Sequence, residues 1–204
     1  MIRDRKLFLR RRKRDEIRAL GMILHHLGLS LRETRRIVQS YGKVSHEAIR
    51  QWYHRLGSID SNVERKERKV LAIDETKVKV KGRYEYLWAV IDVCTREILV
   101  VYLSSTRTAF EAMSVMKKAL KACSNRPVVL VDNGPWYVWA LQRLGVERVH
   151  RTFGERNAIE QWFGIMKRRT RRFYNSFNNC RSLESPRRWM RAFMNAYNLL
   201  RSLT

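Results

Sequence analysis

Acidic residues, paired cysteines and long apolar runs are the scarce features of this chain. Only 19 Asp+Glu stand against 43 Lys+Arg, a formal net charge of +24 over 204 residues. Cys94, Cys123 and Cys180 are far apart and form no CxxC pair. Neither a zinc site nor a disulfide framework is indicated, and reduced thiols in an intracellular protein are expected. No apolar run approaches the length needed to cross a bilayer. The N-terminal MIRDRKLFLRRRKRDE is broken by charge throughout and lacks the apolar core of a signal peptide. A soluble, cytoplasmic, nucleoid-associated protein with no membrane partner is expected. Also missing are a nucleophilic Ser or Cys with a partnered His and a Gly-rich loop that could cradle phosphates.

What is present is a positive field. Such an excess attracts polyanions by steering and by releasing counterions from phosphates. Charge alone does not separate a DNA binder from a ribosome-like RNA binder. Its distribution is more informative: residues 161–204 hold ten basic residues and one acidic, while ten acids fall in 71–160. With 45% hydrophobic residues the chain can bury a core.

Residues 1–13 form a basic arm with little periodicity. A helical pattern starts at Arg14, with Ile17, Leu20, Leu24 and Leu27 spaced by three and four, and Gly28 stops it. Ser30 then caps a second helix, LRETRRIV, with Glu33 completing a capping box. Ser45 caps a third, in which Ile49, Trp52, Tyr53 and Leu56 face inward. Three short helices over 14–57 predict a small all-α helix-turn-helix domain. The polar stretch 58–69 reads as a linker.

At Val70 the period changes. VLAIDETKVKV, YEYLWAVIDV and EILVVYLS predict an antiparallel meander of three strands. A helix over 108–122 follows, with Phe110, Met113, Met116 (or Val115) and Leu120 inward. PVVLVD then reads as a buried central strand. A helix over 136–144, a strand VERVHR, a long helix from near Glu155 and a last helix over 186–203 complete domain 70–204. The order β-β-β-α-β-α-β-α is that of the ribonuclease H-like fold, an α/β mixed sheet flanked by helices.

Two carboxylates sit near strand ends, where open α/β sheets bind ligands: Asp74 in LAIDE and Asp132 after PVVLV. Several clustered carboxylates resist burial unless a divalent cation joins them. Asp132 alone is equally a turn former in Asp-Asn-Gly. Glu75 rivals Asp74, but neighbours on a strand point to opposite faces, so the two cannot enter one site. Asp92, before a tight turn, takes a structural reading. A third carboxylate is expected from NAIEQWFGIMKRR, where Asn157, Glu160 and Lys167 share one face beside the apolar band Ile159, Trp162, Phe163 and Met166. Glu155 is the alternative. Hard carboxylate oxygens select Mg²⁺ or Mn²⁺ over zinc.

GLSLRETRRIVQSYGKVSHEAIRQW, IDET, VDNG and N-A-I-E followed by K-R-R, in that order, resemble insertion-sequence transposases of the DDE class. The resemblance covers nearly the whole chain after Arg14. It implies Asp74, Asp132 and Glu160 as the catalytic and metal-binding triad and Lys167 as a basic DNA-contacting residue. One departure is that only 27 residues separate Asp132 from Glu160, fewer than the family pattern leads one to expect. The implied activity is binding of the element's terminal inverted repeats, then metal-dependent DNA cleavage and strand transfer into target DNA. A homodimer or higher oligomer on double-stranded DNA is expected.

In the head, the third helix is expected in the major groove, offering His46, Glu47, Arg50, Gln51 and His54 to base edges. Arg32, Arg35 and Arg36 suit backbone phosphates, as do Asn157, Lys167 and Arg168 near the active site. Trp52, Trp162 and Trp189 read as core. Two rival functions remain: a catalytically inactive, transposase-derived DNA-binding regulator, and a ribonuclease H-like nuclease or resolvase that cuts without joining.

Overall fold

The structure, a computed structural model, describes residues 14–59, 63–150, 157–172, 177, 180 and 182–202. The basic arm 1–13 and Glu155 lie outside the described residues. The chain divides into two compact units, residues 1–60 with 184–204, and residues 61–183.

The first unit is all helical: α1 (Asp15–Leu27), α2 (Leu31–Val38), α3 (His46–Leu56) and the last helix, α7 (Glu184–Arg201). Local chemistry sets the helix ends. Gly28 closes α1 at φ 136°, and Leu29 N donates back to Leu24 O at 3.1 Å, a turn that residues with a Cβ rarely adopt. The Ser30–Glu33 capping box forms as the spacing predicts, and Ser45 Oγ accepts from Ala48 N at 3.1 Å. Ile49, Trp52 and Tyr53 of α3 are buried.

The stripe expected on α1 forms in part. Ile17 is buried as expected and Leu20 and Leu24 are half-buried, but Leu27 is 65% exposed, and Met22, His25 and His26 are buried in addition. Hydrogen bonds compensate the two imidazoles, His25 Nδ1 with Leu29 O at 3.0 Å and His26 Nδ1 with the Tyr53 hydroxyl at 3.1 Å. A buried polar ring with such partners can fill a core as an apolar residue does. The last helix packs in this unit. Asn195 Nδ2 donates to Leu56 O at 2.8 Å, and Trp189 stacks on Phe193 with ring centroids 5.4 Å apart. At Gly57 the α7 backbone comes so close that a Cβ would lie 1.9 Å from Arg188 O.

The second unit is a five-stranded mixed sheet of order β3-β2-β1-β4-β5. Its strands are β1 (Val70–Val80), β2 (Arg83–Asp92), β3 (Ile98–Ser104), β4 (Val128–Val131) and β5 (Arg148–His150). β1 pairs antiparallel with β2 and parallel with β4, while β4 pairs parallel with β5. Helices α4 (Ala109–Leu120), α5 (Pro135–Arg143) and α6 (Asn157–Arg172) complete the ribonuclease H-like α/β order. β4 is the continuous apolar strand its sequence predicts, with Val129, Leu130 and Val131 all buried.

Under α4 and α5, one face of the sheet contributes Leu71, Ile73, Trp88, Val90, Val129 and Val131 to a core with Ala112, Val115, Met116, Ala119, Tyr137, Ala140 and Leu141. Val115 and Met116 are buried and Met113 and Leu120 pack against the core, as expected. Phe110 is the exception, 68% exposed and edge-on to Trp139, while Ala112 and Ala119 are buried. Small side chains let α4 approach the sheet, leaving a first-turn aromatic outside. Helix α6 lies on β1 and β2, burying Ala158, Ile159, Trp162, Phe163 and Met166.

Candidate active site

Strand register brings the first two carboxylates together. Val70 pairs with Val128, Leu71 with Val129 and Ala72 with Leu130. The same offset carried two residues on sets Asp74 level with Asp132, on strands roughly 4.8 Å apart. In a parallel ladder, level residues point to the same face. Ala72, Asp74, Leu130 and Asp132 therefore share the face opposite the α4–α5 core.

Both carboxylates are half-buried, and each has an oxygen held by the local backbone. Asp74 Oδ1 accepts from Glu75 N at 2.9 Å, and Asp132 Oδ1 accepts from Gly134 N at 2.8 Å. Gly134 is required by this closeness, because a Cβ there would lie 2.9 Å from Asp132 Oδ1 and 2.6 Å from the Trp136 ring.

Glu75 takes the other face, as strand alternation demands. Its carboxylate accepts from the buried Tyr137 hydroxyl of α5 and lies 3.4 Å from Arg107 Nη1. Burial is the main cause that raises its pKa. The Tyr137 hydrogen bond opposes that rise, and the charges of Asp74 and Asp132 add to it. Burial first, then the Glu75 charge, pushes the Tyr137 hydroxyl pKa well up. Arg107 is held by ring faces, 4.0 Å from the Trp136 centroid and 5.3 Å from that of Tyr86. No sequence signal pointed to Tyr137 or Arg107, since both meet Glu75 only through the fold.

Asp92 is tied up elsewhere, buried against Arg68 at 2.7 Å, with its other oxygen capping the turn through Cys94 N and Thr95 N. On α6, Asn157, Glu160, Lys167 and Arg168 are exposed, whereas Arg169 is 6% exposed and so points away from them. Among the described residues, no group of three or more His, Cys, Asp or Glu is close enough to hold a metal ion. The structure thus brings Asp74 and Asp132 together and leaves Glu160 on the exposed face of the neighbouring helix. Two half-buried carboxylates side by side form a hard oxygen donor set, which suits Mg²⁺ or Mn²⁺.

In the helical unit, Arg32, Arg35, Arg36, His46, Arg50 and Gln51 are exposed. His54 is half-buried, and its pKa is lowered to about 4, chiefly by burial and then by Arg50 and Arg188. The tryptophans Trp52, Trp162 and Trp189 are buried, as core residues. No helix among the described residues is long and apolar enough to cross a membrane.

An uncharacterised protein of Methanocaldococcus jannaschii is 44% identical over 201 residues, covering 98% of this chain and 94% of that one. The transposase of insertion sequence element IS257 in transposon Tn4003, from Staphylococcus aureus, is 28% identical over 122 residues, covering 57% of this chain. The match spans 54% of that transposase, about half its length. Among solved structures, the catalytic core domain of HTLV-2 integrase in complex with magnesium aligns with a TM-score of 0.49 at 17% identity, over 62% of this chain and 84% of that one. A family model described as a DDE domain, of the IS240 transposase type, matches residues 68–202. With that match spanning the sheet, Asp74, Asp132 and α6, the chain belongs to the DDE-class transposases.

Proposed function

We propose that this chain binds the terminal inverted repeats of its own element and catalyses metal-dependent cleavage and strand transfer of DNA. The observation that supports the reading is the β1–β4 register, Ala72 level with Leu130, which carried on by two residues would set Asp74 and Asp132 level on one sheet face. Asp74 and Asp132 would hold the metal, with Glu160 closing the site from α6. Divalent ions bound there would supply Lewis-acid activation of the attacking water or 3′-hydroxyl and stabilise the leaving oxygen of an in-line displacement. Lys167, two turns along the helix from Glu160, would hold a phosphate beside the scissile bond, and Arg168 would extend that contact. Asn157, one turn before Glu160, would hydrogen-bond the DNA backbone.

In the helical unit, Arg32, Arg35 and Arg36 of α2 would grip phosphates while α3 reads the major groove through His46, Arg50, Gln51 and His54. DNA of both kinds, terminal repeat and target, would bind a homodimer or higher oligomer in the nucleoid. A domain division at 14–57 and 70–204 fits the family match, although α7 packs with the helical unit.

Purified protein, Mg²⁺ or Mn²⁺, and DNA carrying the element's own ends make the test. Wild type yields joined product. Asp74→Asn, Asp132→Asn and Glu160→Gln each lose it while retaining binding to the ends. Cleaved fragments without joining would support the nuclease reading, and end binding with no metal-dependent cleavage the regulator.

A further inference from the structure

Two of the side chains proposed to read DNA from α3 are already engaged. Glu47 sits in the first turn of α3, and both its carboxylate oxygens accept from Arg50, at 2.8 Å from Nε and 2.7 Å from Nη2. Gln51 Nε2 donates to the same carboxylate at 3.1 Å. Spacings of three and four residues put these groups on one helix surface. Burial does not force the contact, because the Arg50 and Glu47 side chains are 45% and 46% exposed. The pairing nonetheless holds the Glu47 pKa down to about 2, mainly through the Arg50 hydrogen bond, and raises that of Arg50.

A guanidinium offers its donors in a fixed planar fork. Glu47 occupies the edge made by Nε and Nη2, leaving the end-on edge made by Nη1 and Nη2. Two parallel N–H groups on that edge suit the O6 and N7 acceptors of guanine. The pairing does two things at once. Orientation is restricted before DNA arrives, so less side-chain entropy remains to be lost on binding. The pair also carries no net charge, which weakens the pull that a lone arginine would exert on any phosphate. One carboxylate thereby favours a base edge over the backbone.

We propose that Glu47 is a specificity-determining residue, buttressing Arg50 for guanine readout and cancelling its attraction for phosphate at other sequences. This rests on the reading of the helical unit as the DNA-binding part. Gln51, held on the same carboxylate through its amide nitrogen, keeps its carbonyl oxygen for a donor on the neighbouring base.

The test starts with selection by the full chain from duplexes bearing a randomised segment. Wild type, Glu47→Gln, Arg50→Ala and the double variant are then titrated by fluorescence anisotropy. Each is measured with the selected duplex and with a scrambled one, over a range of salt. Circular dichroism confirms that each variant is folded. Glu47→Gln is expected to bind scrambled DNA more tightly, with a salt slope steeper by about 1. Its ratio of selected to scrambled affinity should fall roughly 5-fold, within the span of one bidentate base contact. In the Arg50→Ala background the same substitution should change the ratio by less than about 2-fold, as coupled neighbours do. An unchanged ratio in Glu47→Gln, or an equal effect with and without Arg50, overturns the buttress and leaves Glu47 as a helix-start acid. If wild type selects no sequence at all, the DNA-reading role of α3 falls, and the buttress with it.

Discussion

Asp92→Asn separates a structural carboxylate from the one proposed to be catalytic, Asp74. Arg68 is 1% exposed and Asp92 2%. Arg68 Nη1 donates to Asp92 Oδ2 at 2.7 Å, Nη2 to Glu97 Oε2 at 2.9 Å, and Nε to Ala122 O at 3.1 Å. Breaking a buried pair by removing one partner costs about 3–5 kcal/mol, because the other charge stays behind without compensation. Asn at 92 still accepts from the turn, and Glu97 still faces Arg68, so the low end, about 3 kcal/mol, applies. Arg68→Met should cost a similar amount. The double variant leaves no unpaired charge at this pair, so its loss should fall short of the sum by about 1.5–3 kcal/mol.

Asp74→Asn should behave differently. Level carboxylates about 5 Å apart repel by about 3 kcal/mol at an effective dielectric constant of 20, and half-exposure reduces that to about 1 kcal/mol. Asparagine keeps an acceptor for the Glu75 N–H, so neutralising this site should leave stability unchanged or raise it. Urea titration combined with hydrogen exchange of β1 and β2 gives a local readout, suited to a chain of two units. The assignment fails if Asp92→Asn is as stable as wild type yet loses metal-dependent cleavage. It fails equally if Asp74→Asn unfolds the sheet.

Gly134→Ala should lower cleavage at least about 10-fold and raise the metal concentration required, since the new Cβ displaces Asp132 or Trp136; misplacing a catalytic group by about 1 Å has such effects. Metal titration of cleavage, with hydrogen exchange of β4 as the fold control, checks it. Gly57→Ala should destabilise the helical unit, where only a shift of backbone relieves a 1.9 Å approach to Arg188 O, and exchange in α3 and α7 would report it. Glu75→Gln should raise sheet stability at neutral pH. Its folded pKa is raised, so the folded state binds more protons and wild-type stability falls as pH rises from the usual carboxylate range through that folded value; the gain should vanish in acid melts. His54 has the opposite sign. With its pKa lowered to about 4, the unfolded chain binds the proton first, so helical-unit stability should fall as pH drops from about 6.5 towards 4, and His54→Gln should flatten that slope.

Features set by neighbours in sequence were the most legible. The Ser30–Glu33 box, the Ser45 cap, the inward face of α3 and the opposite faces of Asp74 and Glu75 follow from periods of 3.6 and 2. Where hydrophobicity alone guided the reading, it slipped. On α1 it missed that His25 and His26 could be buried once Leu29 O and Tyr53 met their nitrogens. On α4 it chose Phe110 over Ala112, although close packing on a sheet favours the smaller residue. The contacts of α7 with α3 were hidden because they rest on local shape, the missing side chain at Gly57 and the Asn195 amide reaching Leu56 O.

The pairing of the two proposed catalytic aspartates was legible only in part, for a geometric reason. Asp74 could be recognised within its strand and Asp132 just past the end of another, but strand order and register are properties of pairing between distant segments. A slip of one residue between β1 and β4 would set a neighbour of Asp132 level with Asp74 and turn Asp132 to the opposite face. Apolar residues prevent that slip. Val129 and Val131 enter the core under α4 and α5 beside Leu71 and Ile73, and a slip of β4 would turn both valines outward. Burying an aliphatic side chain contributes roughly 1.5–3 kcal/mol, so the two valines together outweigh the repulsion between two half-exposed carboxylates. The hydrophobic face of the sheet therefore sets the distance between the acids on its other face, and substitutions at Val129 or Val131 should disturb the site without touching it.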